Sequence, residues 1–296
     1  MEIRKGLGYA VAVYLMWGLF PLYFAALEPA GPVEILIHRV LWTAVFGVLL
    51  LAALRRLRGL RTAFRLKLVL AAVLIAVNWL VYVYGVHTNQ VVETSLGYFL
   101  NPLLTVVLGV TVLHERLNRA QWTAVAIGAL AGVVLTVDFG RPPWIAIILA
   151  VAFAGYGLLK KSLPVPALEG VTIETLVLVP AALLYPLFFG GTAGNTFLSG
   201  SGWHTVLLVV AGPITGIPLL LYAGAARRLP LTVMGMLQYI TPSIQFVLGL
   251  TVFHESMSPA RWLGFGLVWT ALTVLSVDGF ARNRRRRNVL TGPLAG

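Results

Sequence analysis

The chain has no cysteine, so disulfides and thiolate metal sites play no part in it. It also has little charge. Asp, Glu, Lys and Arg make up 11% of its 296 residues, against about 25% in an ordinary soluble domain. Acid is scarcest, with ten Asp and Glu in all. No GxxxxGK[ST] phosphate loop is present, which leaves nucleotide hydrolysis without support. No GxSxG or HExxH motif is present either, which leaves a membrane enzyme without support. No stretch is polar enough, for long enough, to build a soluble domain.

What is there is apolar material, 59% of the chain. A soluble fold of this size has no room for so much. In a bilayer every backbone polar group must be satisfied within its element, which only helices and closed barrels achieve. The apolar runs are continuous over about 20 residues rather than alternating over about 10, so helices are expected and not a barrel. Ten spans are placed at 6–27, 35–54, 68–86, 93–113, 121–138, 144–161, 170–190, 204–225, 231–253 and 262–279. Arg4 and Lys5 ahead of the first apolar run resemble a signal peptide, but the run is expected to be the first span.

The formal charge of +12 invites a nucleic-acid reading. The basic residues instead cluster in short loops, which points to topology, and no nucleic-acid partner is expected. With both termini in the cytoplasm, 19 of the 22 Lys and Arg lie inside, Arg141 and Arg261 lie outside, and Arg39 falls within a span. The basic tail, 283–296, either contacts anionic lipid or stops the last helix, and Asn288 to Gly296 are expected to be disordered.

A repeat appears at an offset of 140 residues. Segment 99–138 aligns without a gap on 239–278, with 15 of 40 positions identical, among them Pro102/Pro242, Gly109/Gly249, His114/His254, Glu115/Glu255, Trp122/Trp262 and Asp138/Asp278. The same offset pairs Glu34 with Glu174. Residues 1–140 thus form one five-span half and 141–282 a second. Five is odd, so the halves cross the membrane in opposite senses. Inverted repeats of this kind are a transporter design with a binding site near the midplane.

Several stretches carry a family resemblance: WGLFPLYF at 17–24, EILIHRVLW at 34–42, NWLVYVYGV at 78–86, ETSLGYFLNPLLTVVLG at 93–109, YGLLKK at 156–161, IETL at 173–176 and ARRLPLTVMGMLQYITP at 226–242. Over about residues 6–280 the chain resembles the EamA-type drug/metabolite transporters, specifically the RarD subfamily, named for a chloramphenicol-sensitivity phenotype. The resemblance implies a ten-helix fold in the bacterial inner membrane and the movement of small molecules. It does not settle the substrate.

Strongly polar residues inside spans are costly and usually face a cavity or the bundle interior. Glu34 and His38 share a helix face, and Arg39 lies about 7 Å deeper than Glu34. Glu34 and Arg39 are either a gate that meets a substrate carboxylate or an internal pair that fixes packing. Asn78, beside Trp79, is either a solute contact near mid-depth or interhelical glue. Glu93, Gly97, Asn101 and Pro102 suggest a broken helix lining a cavity, mirrored by Gln238, Tyr239 and Pro242. Plain kinks at Pro102 and Pro242 are the alternative. Glu174 either carries a proton or pairs with Lys160 or Lys161. His114-Glu115 and His254-Glu255 are taken as caps.

The expectation is therefore an all-α polytopic membrane protein, ten helices in two inverted five-helix repeats, that moves a small solute by alternating access. Asn78, Glu93, Asn101, Gln238 and Tyr239 line the path. Glu34 and Arg39 gate it, and Glu34 or Glu93 couples it to protons if coupling exists. No cofactor and no metal are expected; the partners are the solute and the bilayer. An uncoupled facilitator and a non-transporting subunit of a larger complex are the competing functions. Oligomeric state, direction and coupling ion stay open.

Overall fold

The computed structural model describes residues 2–111, 116–161, 163–189, 196–198, 201–229 and 231–291. All regular structure among them is helical. The first half contains α1 (Glu2–Gly18), α2 (Phe20–Ala25), α3 (Pro32–Ala53), the short α4 (Arg58–Ala63), α5 (Leu66–His87), α6 (Val91–Thr111) and α7 (Arg119–Phe139). The second contains α8 (Trp144–Lys161), α9 (Ala167–Phe189), α10 (Gly202–Ala226), α11 (Leu231–Leu237), α12 (Ile240–Thr251) and α13 (Pro259–Thr291). Nine segments are long and apolar enough to cross a bilayer, with α1 and α2 counted together and α11 joined to α12. Trp144–Lys160 is the tenth and shorter. At 1.5 Å per residue it spans about 25 Å, a little less than the hydrocarbon thickness. The ten expected spans are therefore present.

Packing follows the repeat. Equivalent spans meet across the pseudo-two-fold: α3 on α9, α6 on α12 and α7 on α13. Helix α8 packs on α5 and α6, just as α1 packs on α10 and α12. The two sides are unequal, however, because α8 covers α6 more extensively than α1 covers α12. Gly97 makes the tighter side possible: a Cβ there would lie 2.9 Å from the Ala146 carbonyl oxygen. Two of the apolar clusters among the described residues span both halves. One joins Leu96, Phe99, Leu135, Phe246 and Phe265 from α6, α7, α12 and α13. The other joins Phe24, Ile35, Tyr82, Val83, Ile145 and Leu208 around the first-half helices.

Three details depart from expectation. Helix α6 runs unbroken through Pro102, whereas span nine breaks at Gln238–Tyr239, just ahead of Pro242. A proline removes one ladder donor, and neighbouring packing decides whether the helix opens. Here α8 clamps α6. Secondly, the first span also breaks, at Leu19 ahead of Pro21. Pro21 cannot donate to the Trp17 carbonyl, and the Gln245 side chain does so instead, at 3.1 Å. Lastly, α13 continues to Thr291, so 288–291 are helical rather than disordered and 283–291 of the tail prolong the last span. Nothing between Phe280 and Thr291 stops a helix; Gly292 and Pro293 come only afterwards.

Candidate functional site

The prolines and small residues of α6 and α11–α12 leave space between the two halves. A cavity of about 350 Å³ opens there, lined by Asn101, Pro102, Thr105 and Val106 of α6, Gly235, Gln238 and Tyr239 at the span-nine break, and Gln121 and Ser276 of α7 and α13. Four of the residues singled out from sequence, Asn101, Pro102, Gln238 and Tyr239, thus meet at one site. Asn101 is buried, and its Oδ1 has no hydrogen-bond partner. A buried unpaired acceptor is costly unless something else donates to it.

About one helical turn along α6 from Asn101 lies the centre of the bundle. There the Tyr98 hydroxyl donates to Asn78 Oδ1 at 3.3 Å, and Asn78 Nδ2 donates to the Leu149 carbonyl at 3.2 Å. Asn78 therefore ties α5, α6 and α8 together. Gln245 Nε2 donates to the Tyr82 hydroxyl at 3.0 Å, while its Oε1 is buried without a partner. Arg39 is also central, not peripheral. It is 5% exposed, and its Nε donates to Thr215 Oγ1 at 3.0 Å. Its guanidinium lies 4.1 Å from the Trp79 ring centre, with Phe24 and Phe20 at 5.3 and 5.6 Å.

Glu34 does not pair with Arg39. It sits in the first turn of α3 and accepts from the Thr196 N–H at 2.7 Å, the Thr196 hydroxyl at 3.0 Å and the Phe197 N–H at 3.1 Å. His38, one turn on, stacks on Phe197 at 4.6 Å. The expected Glu34–His38 face exists, and it holds the 196–198 segment.

Glu93 is likewise away from the cavity. Its carboxylate pairs with Arg141 at 2.9 Å and accepts the Ile145 N–H at the start of α8 at 3.0 Å. Beside it, Glu255 reaches across from the second half to the N-terminus of α6, where it accepts the N–H groups of Val91 at 2.5 Å and Val92 at 3.1 Å. The positive end of a helix dipole suits that carboxylate. Burial nevertheless pushes its pKa up to about 7, against the lowering pull of the two N–H groups and Arg261. Asp138 pairs with Arg261 at 2.7 Å and accepts from Ser258. This whole end of the molecule is sealed by charge and hydrogen bonds between the halves. At the opposite end, Lys160 pairs with Glu174 at 2.8 Å, one of the two roles expected of Glu174, and Arg56 pairs with Glu169.

Sequence reasoning missed the reach of Glu255. It caps a helix of the other half rather than its own; His114 and Glu115 lie outside the described residues. The signal was present, since a Glu retained at both copies of a hairpin invites a shared duty. Thr215 was missed as well. Its signal is the AGPITGIP run at 211–218, small and helix-breaking residues where a helix of pure packing would carry Leu.

The comparisons agree with this architecture. Residues 4–137 match the EamA-like transporter family. A protein RarD of Streptomyces exfoliatus is 47% identical over 97% of this chain and 92% of its own length. An uncharacterized transporter, YojE, of Bacillus subtilis is 41% identical over 93% and 94%. A protein RarD of Escherichia coli is 37% identical over 96% and 98%. A crystal structure at 18% identity superposes with a TM-score of 0.61 over 92% of this chain and 96% of its own, which shows a shared fold. With ten spans, an inverted repeat and relatives matched along nearly the full length, the chain belongs to the RarD subfamily of the EamA-type membrane transporters.

Proposed function

We propose that the chain is a secondary transporter that carries a small solute across the bacterial inner membrane by alternating access, with both termini in the cytoplasm. One observation carries this: the N-terminus of α6 is capped across the halves by Glu255 at one end, and the cavity opens toward the other, where Arg56–Glu169, Arg228–Glu2 and Asn118–Asp278 also join the halves. The end with the α6 N-terminus is tied shut across the halves by Glu255, Glu93–Arg141 and Asp138–Arg261. Away from it, the cavity of Asn101, Gln238 and Tyr239 is open. Lys and Arg asymmetry puts the tied end outside, which makes this an inward-facing arrangement. Because the halves are inverted copies, exchanging their conformations gives the outward-facing one. The offset pairs Glu255 with Glu115 and Val91-Val92 with Leu231-Thr232. The same carboxylate-to-helix latch is then expected on the cytoplasmic side when the outer one opens.

The solute enters at Asn101, Gln238 and Tyr239 and moves past Tyr98 toward Asn78 and Arg39. Uncoupled facilitation is the second reading, favoured by a cavity lining without a carboxylate. Coupling, if present, falls to Glu34 or Glu93. Neutral Gln at each would then abolish accumulation driven by a pH gradient while leaving downhill flux intact. The test of transport itself is untargeted mass spectrometry of medium and cytosol from cells expressing the wild type or Asn101→Leu/Gln238→Leu. Reciprocal change in one solute class, absent in the variant, supports both transport and the site. Change common to both proteins supports transport and rejects the site, and no change against an empty vector rejects transport under the conditions used.

A further inference from the structure

Arg39 is a buried cation without an anion. No carboxylate pairs with it among the described residues. Among the described residues its one hydrogen bond runs from Nε to Thr215, and the two terminal amines find no acceptor there. A lone buried charge is strongly disfavoured, and contacts with ring faces offset only part of the cost. Those rings are nonetheless arranged around it: Trp79 closest, then Phe24 and Phe20, with the phenols of Tyr23, Tyr82 and Tyr98 near enough to interact electrostatically. The second half has no equivalent cation, since the repeat places Val179 opposite Arg39. Arg39 is therefore not a symmetric packing device.

A guanidinium held by Nε presents its other edge as a planar fork, the geometry that meets a carboxylate with two parallel bonds. Gln245, whose Nε2 donates to the Tyr82 hydroxyl, leaves its Oε1 as a second unpaired polar atom, an acceptor, in the centre. We infer that Arg39, stacked on Trp79 and anchored by Thr215, is the recognition point for a small organic monoanion: a carboxylate on a flat, aromatic or apolar body that lies among Phe20, Phe24 and the tyrosines. The inference rests on the transport reading and names the substrate class for the inner end of the proposed solute path, beyond the Asn101 cavity. A neutral solute of the same shape would leave the guanidinium as it stands and gain little.

The test uses the purified full-length protein. Thermal stabilisation is measured with benzoate, 3-phenylpropionate and indole-3-acetate, each against its primary amide, and with chloride and phosphate. Carboxylates are expected to bind about tenfold or more tighter than the amides, the difference one charge-assisted hydrogen bond makes. Arg39→Gln should erase that preference. Thr215→Ala, which keeps the charge but frees the guanidinium, should weaken it. Equal effects of acids and amides on the wild type, or no effect of any carboxylate, overturns the inference whether or not a variant folds. Chloride or phosphate acting as well as the carboxylates overturns the organic body. Counterflow in liposomes separates the two claims. Carboxylate binding without flux leaves the anion site and rejects the transporter; flux of amides at the carboxylate rate leaves the transporter and rejects the anion site.

Discussion

Glu255 carries the cap on the α6 N-terminus in one side chain. Truncation by Glu255→Ala strands two buried N–H groups, each worth about 1–3 kcal/mol when left unpaired. A cysteine introduced at Val91, fully buried beneath the latch, should then react at least about tenfold faster with an impermeant maleimide. The chain's own lack of cysteine makes that assay clean. The pH dependence has a definite sign. The latched carboxyl has a pKa of about 7, raised by burial and by Glu93 and lowered by Arg261 and the Val91 and Val92 N–H groups. A released, solvated carboxyl returns to about 4.3. The latched form thus binds the proton more tightly. It is favoured in acid, and that advantage is lost as pH rises through about 7. Val91→Cys labelling should rise with pH over this window, and Glu255→Gln should flatten the profile. At the other end Lys160→Met leaves the buried Glu174 without its cation, with the Tyr156 hydroxyl still donating to it, and should cost about 3 kcal/mol, seen as a lower Tm, with Glu174→Leu added to recover most of it. Single residues were unevenly legible. Asn78, Asn101 and Arg39 stood out because polar groups in apolar spans are expensive. The internal Glu34–Arg39 pair, weighed as the alternative to a gate, did not form, because five residues turn a helix by about 140° and set the two on different faces. Glu255 acts on N–H groups 163 and 164 positions away, and local pattern cannot reach that far.

Helix contacts depend on small residues at a few points. At Gly212 of α10 a Cβ would collide with the backbone of Trp42 on α3, and backbone cannot step aside. Gly212→Ala should therefore destabilise by about 1–3 kcal/mol. Gly266→Ala on α13, where nothing lies within 4 Å, should be neutral or gain up to about 1 kcal/mol from helix propensity. Thermal unfolding of both variants in one detergent separates the two outcomes. The break between α11 and α12 carries its own prediction. Pro242→Ala restores a donor for the Gln238 carbonyl, tends to straighten span nine, and should slow solute flux while leaving folding intact. Spans and their partners were readable because apolar length and the repeat are properties of whole segments. Which matched proline opens its helix was not, since both remove the same bond and only the neighbour differs: α8 clamps α6 at Gly97, whereas the wall at Gly235 is open.

At the scale of the molecule, the inverted repeat explains why one chain holds a sealed end and an open cavity at once. Each half supplies the same kind of part: Ser258 meets Asp138 at one end and Asn118 meets Asp278 at the other. The charge distribution, with nearly all basic residues on one side, is the basis of the proposed orientation and was legible from sequence alone. Where the cavity opens was not, because that depends on contacts between the halves, which lie far apart in sequence. The direct measurement is paired accessibility: Val91→Cys beneath the seal and Val106→Cys in the cavity, each labelled from its own side at about pH 6 and about pH 8 and with Glu255→Ala. Alternating access predicts a trade-off, with every gain at Val91→Cys matched by a loss at Val106→Cys. Both sites labelling together, or neither responding, would contradict it.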